Sequence, residues 1–289
     1  MEFMVNTINL QNESATESAR PVTPLGILTE HLQAAATLLA PELKLESRLA
    51  EADAHVQQAL KLAAGLDPYV ERSTTAESAA LRSISEKTRQ EAWKRKFSEG
   101  STVRQLEQEM LSGHVEGQTL KMFVYMSRAQ RVLDIGMFTG YSALAMAEAL
   151  PENGRLIACE VDAYVASFAE ALFQESPHGS KIEIKLNPAL VTLNQLAAAE
   201  DCFDLVFIDA DKREYVQYFQ LLLDANLLAP NGFICVDNTL LQGQPYLPAA
   251  ERSENGEAIA QFNQVVADDP RVEQVLLPIR DGLTIIRRV

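Results

Sequence analysis

From Arg131 onward, short runs rich in β-branched and apolar residues alternate with spans of helix length. The runs are Val132–Ile135, Leu156–Val161, Ile182–Leu186, Leu205–Ile208, Phe233–Val236, Val272–Ile279 and Leu283–Ile286. Between most of them lie Tyr141–Leu150, Tyr164–Gln174, Ala189–Ala199, Glu214–Asn226 and Asn255–Ala267. Strands separated by helices need crossover connections, and these put neighbouring strands parallel. Only the last two runs are joined by a hairpin signal, Asp281-Gly282, so the final strand is expected antiparallel. The pattern predicts an α/β class fold: a doubly wound, seven-stranded, mostly parallel sheet.

The chain before this region reads differently. Residues 1–20 are polar and expected to be disordered, and 21–115 form an all-helical extension. Leu25, Leu28, Leu32, Ala35, Ala36 and Leu39 recur at helical spacing before Pro41. A second helix is expected from Glu42 to Ala64, stopped by Gly65 and Asp67-Pro68, and a third from Ala76 to Lys96 with Trp93 as its apolar anchor. Ser101-Thr102 are expected to open a fourth, with Val103, Leu106 and Met110 on one face. None of these carries a motif with chemistry of its own.

Composition narrows the function classes. The formal net charge of -15 lacks the basic footprint that phosphate neutralisation needs, so nucleic acid is an unsuitable partner. No apolar run reaches the ~20 residues of a membrane helix, and the polar N-terminus lacks a signal peptide's basic start and apolar block. A cytoplasmic, membrane-free location is expected. The three cysteines have no CxxC spacing and no neighbouring histidines, which excludes a disulfide scaffold and a zinc finger.

A parallel sheet places its ligand beyond the carboxyl ends of its strands, and the residues there carry chemistry. The first strand runs into Asp134-Ile135-Gly136-Met137-Phe138-Thr139-Gly140-Tyr141-Ser142, whose glycines allow a sharp turn close to a ligand. It is not GxGxxG, so a nicotinamide oxidoreductase, which shares the sheet, is the weaker reading; a plain strand–helix turn is the bland one. Glu160, 24 positions after Gly136, stands where an acid can bond both hydroxyls of a ribose, unless it is a solvated loop carboxylate. The fourth and fifth strands end in Asp209 and in Asp237-Asn238. Helix capping explains Asp209 or Asn238 singly. Three oxygen-bearing side chains at one sheet edge suit a hard divalent cation, Mg²⁺, Ca²⁺ or Mn²⁺, better than zinc.

Glu116-Gly117-Gln118, Asp134-Ile135-Gly136 through Ser142, Phe207-Ile208-Asp209-Ala210-Asp211-Lys212, Asp237-Asn238-Thr239-Leu240 and Leu277 through Thr284 occur in order over about 60% of the chain. In these segments residues 116–289 resemble the cation-dependent class I O-methyltransferases related to catechol and caffeoyl-CoA O-methyltransferases. The resemblance implies a Rossmann-like methyltransferase fold with S-adenosylmethionine as cofactor. It places Met110, Ser112, Asp134, Gly136, Met137, Ser142, Glu160, Ala189 and Asp209 on cofactor positions, with Glu160 at the ribose and Ala189 near adenine. Asp211 and Tyr218 match positions near cofactor and substrate. Asp209, Asp237 and Asn238 fall on the metal ligands and Lys212 on the catalytic lysine, with Asp209 beside it. Position 134 is Asp where plant members often have Glu, which alters reach and not role.

The long helical lead, with Arg20-Pro21-Val22-Thr23-Pro24 and Ala64-Gly65-Leu66-Asp67-Pro68-Tyr69, resembles the cyanobacterial branch that makes mycosporine-like sunscreens. That branch methylates demethyl-4-deoxygadusol to 4-deoxygadusol; a catechol or phenylpropanoid acceptor is the alternative. The partner expected is a small acceptor with adjacent oxygens, the assembly a homodimer. Lys212 is expected to have a lowered pKa beside the cation and to act as general base.

Overall fold

A computed structural model describes residues 23–39 and 47–289. The disorder expected of residues 1–20 lies outside them, as do Pro41 and the start of the second helix at Glu42. Seven strands, β1 (Arg131–Ile135), β2 (Arg155–Glu160), β3 (Ile182–Leu186), β4 (Phe203–Ile208), β5 (Leu228–Val236), β6 (Val272–Leu277) and β7 (Leu283–Arg288), make one sheet in the order β3-β2-β1-β4-β5-β7-β6. The first five pair in parallel, and β7 runs antiparallel to both β5 and β6. Strand order reverses between β1 and β4, which creates the crevice where such sheets bind ligands.

Period-two alternation drives both faces of this sheet into cores. Val132, Leu205 and Phe207 face one cluster, packed by α3 (Ala79–Gln90), α5 (Gly113–Ser127), α6 (Tyr141–Ala149) and α7 (Ala163–Phe173) through Ile84, Leu120, Leu144 and Leu172. Leu133, Ile135, Val206 and Ile208 face the other, packed by α8 (Ala189–Ala198), α9 (Tyr215–Asp224) and α10 (Glu254–Asp268) through Leu193, Phe219 and Phe262. Each fully buried aliphatic or Phe side chain contributes roughly 1.5–3 kcal/mol.

The N-terminal helices depart from expectation in three places. Beyond α1 (Pro24–Leu39), α2 (Ser47–Ser73) runs through Gly65 and Pro68 instead of stopping at Ala64. Leu62, Leu66 and Tyr69 are exposed there, so water can solvate the carbonyl that Pro68 leaves without a donor. The expected third helix breaks into α3 and α4 (Trp93–Ser98), with Ala92 at ψ 65° between them. Burial of Trp93 accounts for the break: its Nε1 donates to Thr88 O at 2.9 Å, and its ring sits 5.2 Å from Phe138 and 5.7 Å from Phe168. The expected fourth helix is absent over 101–107, leaving only a 3₁₀ turn at Gln108–Met110. There Val103 N–H donates to the Asp162 carboxylate at 2.7 Å, which replaces an intrahelical bond. In the sheet, β6 stops at Leu277 because Pro278 has no N–H to pair, and β5 starts early, at Leu228, across a bulge opposite Phe203. None of the described helices is long and apolar enough to cross a membrane.

Candidate active site

The carboxyl ends of β1, β2, β4 and β5 open into a cleft of about 650 Å³. Two glycines make its floor possible. Gly136 has φ 98°, and a Cβ there would lie 2.1 Å from Asp209 O; only glycine lets the exits of β1 and β4 meet. Gly140, φ 90°, caps α6 where a Cβ would strike the Phe173 ring at 2.4 Å. Of the residues singled out in the sequence, Met110, Ser112, Gly136, Glu160, Ala189, Asp209, Asp211, Lys212, Tyr218, Asp237 and Asn238 line this cleft.

Asp134, Met137 and Ser142 stand behind its wall. Met137 is a core side chain whose backbone N–H donates to Cys159 O. Asp134 accepts from Ser142 Oγ at 2.8 Å while its other oxygen has no partner. Burial pushes the Asp134 carboxyl up to about 7, against the Ser142 bond, and Asp209 and Glu160 add to the rise.

Glu160 is fixed by backbone donors. Its oxygens accept from Phe138 N at 3.0 Å, Val161 N at 2.8 Å and Asp162 N at 2.9 Å. Burial raises its pKa and these bonds oppose the rise. Oε1 takes two of these bonds and Oε2 one, so the lone pair left for a hydroxyl donor in the cleft is on Oε2.

At the opposite side, Lys212 Nζ donates to Asp209 Oδ1 at 2.8 Å. Burial works against the Lys212 charge, but Asp209 and Tyr215 outweigh it, so its pKa is raised above that of free lysine. The lowered pKa expected from the sequence supposes a bound cation; with the protein's own groups alone, the neighbour that decides the proton is a carboxylate. Asp237 is buried, and burial and the Asp209 charge lift its carboxyl to about 7. Asp211 instead caps a 3₁₀ turn and pairs with Arg213, and the Tyr218 hydroxyl donates to Glu214.

In the sequence Glu116 stands out only as part of the Glu116-Gly117-Gln118 segment. It is buried on α5 with both oxygens unpartnered, and burial and then Asp237 raise its pKa well above the ordinary carboxylate value. Arg280 Nη1 stands 4.0 Å from it. The signal was present, because Glu116 shares an i, i+4, i+8 stripe with Leu120 and Val124, where an acid has no structural reason to be. Arg104 and Asn187 also line the cleft and had no local motif to mark them, whereas Arg280 and Asp281, also in its lining, stood out only as part of the Leu277–Thr284 segment.

Among the described residues no group of three or more His, Cys, Asp or Glu side chains is assembled as a metal site. The candidate donor set is two carboxylates and a carboxamide, Asp209, Asp237 and Asn238. Its all-oxygen chemistry, with the orphaned oxygens of Glu116 close to Asp237, fits a hard cation.

The O-methyltransferase family model matches residues 83–289. The mouse catechol O-methyltransferase domain-containing protein 1 is 37% identical over 176 residues, 60% of this chain and 66% of its own length. Caffeoyl-CoA O-methyltransferase 1 of Arabidopsis thaliana is 35% identical over 182 residues, 60% of this chain and 70% of its own. Among solved structures, the SAH-bound Podospora anserina methyltransferase PaMTH1 superposes with a TM-score of 0.67 at 27% identity, covering 79% of this chain and 96% of that one. TomG of Streptomyces achromogenes, an O-methyltransferase involved in tomaymycin synthesis and solved with SAM, gives 0.64 at 25%, covering 78% and 96%.

Proposed function

The chain belongs to the O-methyltransferase family, and from that membership we propose that it moves the methyl group of S-adenosylmethionine to a hydroxyl of a small, vicinally oxygenated ring. The observation that carries this reading is the convergence of Glu160, Asp209, Lys212, Asp237 and Asn238 on one cleft at the topological switch point. Relatives solved with SAM or SAH support the cofactor.

In this reading Glu160, already oriented by three N–H groups, takes the ribose hydroxyls. Ala189 lies at the adenine, and Asp134, Gly136, Met137 and Ser142 form and back the loop beneath the cofactor. Met110, Ser112, Asp211 and Tyr218 border it. Asp209, Asp237 and Asn238 would hold a divalent cation, Mg²⁺ with Ca²⁺ or Mn²⁺ as alternatives. Bound there, such an ion lowers the pKa of an acceptor hydroxyl and fixes two adjacent oxygens.

The chain's own groups then orient and deprotonate. S-adenosylmethionine bound in the cleft would supply the methyl group from its sulfonium and leave as a neutral thioether, with the acceptor hydroxyl held in line with that methyl. The hydroxyl proton goes to the neutral amine of Lys212, whose own proton, stabilised by Asp209, must first pass to water, to which the side chain is 15% exposed. Much of the acceleration comes from alignment of the nucleophile with the methyl group.

For the acceptor, we place demethyl-4-deoxygadusol first, giving 4-deoxygadusol in mycosporine-like sunscreen synthesis. The helical lead, 21–115, is its support: a cover for the acceptor side of the cleft or a homodimer contact. The curated relatives favour a catechol or phenylpropanoid acceptor as the second reading. Methylation assays on demethyl-4-deoxygadusol, caffeate and catechol, with chelator and after Mg²⁺ or Mn²⁺ addition, separate them. Turnover restored by the cation and highest on the gadusol precursor is expected. Full activity in chelator removes the cation, and preference for catechol removes the sunscreen assignment.

A further inference from the structure

The segment leaving β5 is strained, and besides the bond from Asn263 Nδ2 of α10 to Thr239 O at 2.8 Å it is held from the turn before β7. Asn238, Leu241 and Gln242 have φ of 60°, 34° and 57°, left-handed values that Asn tolerates and that Leu and Gln rarely adopt. Such strain persists only where the surroundings over-determine it. Here the surroundings are the hairpin turn before β7. Leu240 N donates to Asp281 O at 2.9 Å and Thr239 N to Gly282 O at 3.1 Å. Gly282 permits this approach, since a Cβ there would lie 2.6 Å from Leu240 N.

The Asp281 side chain adds something the backbone bonds do not. It is 6% exposed, and both of its oxygens are turned to the same segment. Oδ1 accepts from Gln242 N at 2.6 Å, and Oδ2 accepts from Asn238 Nδ2 at 3.4 Å. A carboxylate has no proton to give at this point, so it dictates which end of the planar Asn238 carboxamide faces it. The amino end is taken, and the carbonyl Oδ1 is left for the cleft that Asn238 lines. Only that end can serve a cation.

We propose that Asp281 is a positioning residue: it accepts from Asn238 Nδ2, so that Asn238 presents its carbonyl oxygen and not its amino group to the cation. This rests on the cation site proposed above. Outer groups that orient metal ligands typically change affinity about 10–100-fold when lost.

Asp281→Asn is the informative substitution, because size and the backbone bonds of residues 281 and 282 are kept. The new carboxamide can still accept from Gln242 N with its oxygen, but it then offers an amino group to the Asn238 amino group. Relief comes by rotation of Asn238, which turns its own amino group to the cleft. The reciprocal pair, Asn238→Asp with Asp281→Asn, restores one donor facing one acceptor.

The test is calorimetric titration of the full chain with Mn²⁺ alone, beside titration with SAH and a thermal melt. Asp281→Asn is expected to bind Mn²⁺ about 10–100-fold more weakly, with SAH affinity unchanged. The double variant is expected to regain at least about tenfold of that loss. Mn²⁺ affinity unchanged in Asp281→Asn overturns the proposal, as does an equal loss of SAH affinity, which would mean general support of the segment. If the single variant does not fold, the double variant decides: folding with Mn²⁺ bound supports the pairing, and failure overturns it. Absence of Mn²⁺ binding by the unsubstituted chain removes the cation site itself, a distinct result.

Discussion

Lys212 and Asp209, three residues apart, form an ion pair with Nζ 2.8 Å from Oδ1 in a largely buried setting. The pair sets the resting state of the site, because the carboxylate keeps the lysine protonated. A lysine so held is placed for proton transfer but cannot accept a proton until Asp209 is drawn to another positive charge.

Two substitutions separate placement from proton transfer. Lys212→Ala removes both and is expected to slow turnover by about 10²–10⁴, the usual worth of a general base. Lys212→Arg keeps a cation beside Asp209 but does not give up its proton, since guanidinium stays charged up to pH ~12. It should therefore be nearly as slow as the alanine variant while SAH affinity holds. Retention of more than about a tenth of wild-type kcat by Lys212→Arg would assign the lysine an electrostatic role only.

Asp134 makes a pH-dependent prediction whose sign is fixed by burial. Its carboxyl is raised from 3.8 to about 7, so the folded chain keeps a proton that the unfolded chain releases. Its contribution to stability is full below pH ~4 and is lost as pH rises toward ~7, on the order of 4 kcal/mol at most. Asp134→Asn cannot titrate and can still accept from Ser142. Denaturant unfolding across pH 4–8 should show a flatter profile and greater stability than wild type above pH 7. If Asp134 holds the cofactor as proposed, SAH affinity should fall in the same variant.

Trp93 ties the helical lead to the loop after β1. Its ring packs on Phe138, whose backbone N–H donates to Glu160. Trp93→Ala is expected to cost about 3–5 kcal/mol in urea unfolding, and to weaken SAH binding through the loosened loop. A variant destabilised to that extent with unchanged SAH affinity would show the two roles to be uncoupled.

The sheet was legible because its seven apolar runs sit between helix-length spans, a pattern set by local chemistry and read without knowledge of contacts. The residues at strand ends were legible for the same reason. What escaped depends on long-range partners. The break before Trp93 needs Phe138 and Phe168, and the open segment 101–107 needs the Asp162 carboxylate. Glu116 and Arg280 lie 164 positions apart and meet only once α5 and the β6–β7 turn are folded.

The acceptor itself offers the last test. Two adjacent oxygens fix the ring, whereas an acceptor with one is free to rotate its nucleophile out of line with the methyl group. Alignment of this kind is worth up to ~7–11 kcal/mol, and partial loss costs several. The pKa of a lone hydroxyl would also be lowered less, which leaves Lys212 a harder proton to take. A mono-oxygenated analogue of the best acceptor is therefore expected to react at least about a hundredfold more slowly in kcat/KM, equivalent to ~2.7 kcal/mol. The comparison belongs at saturating cation, so that metal affinity does not enter. Equal rates for the two analogues would make any bound ion structural and leave the chemistry to Lys212 and the positioning of the ring by the cleft walls.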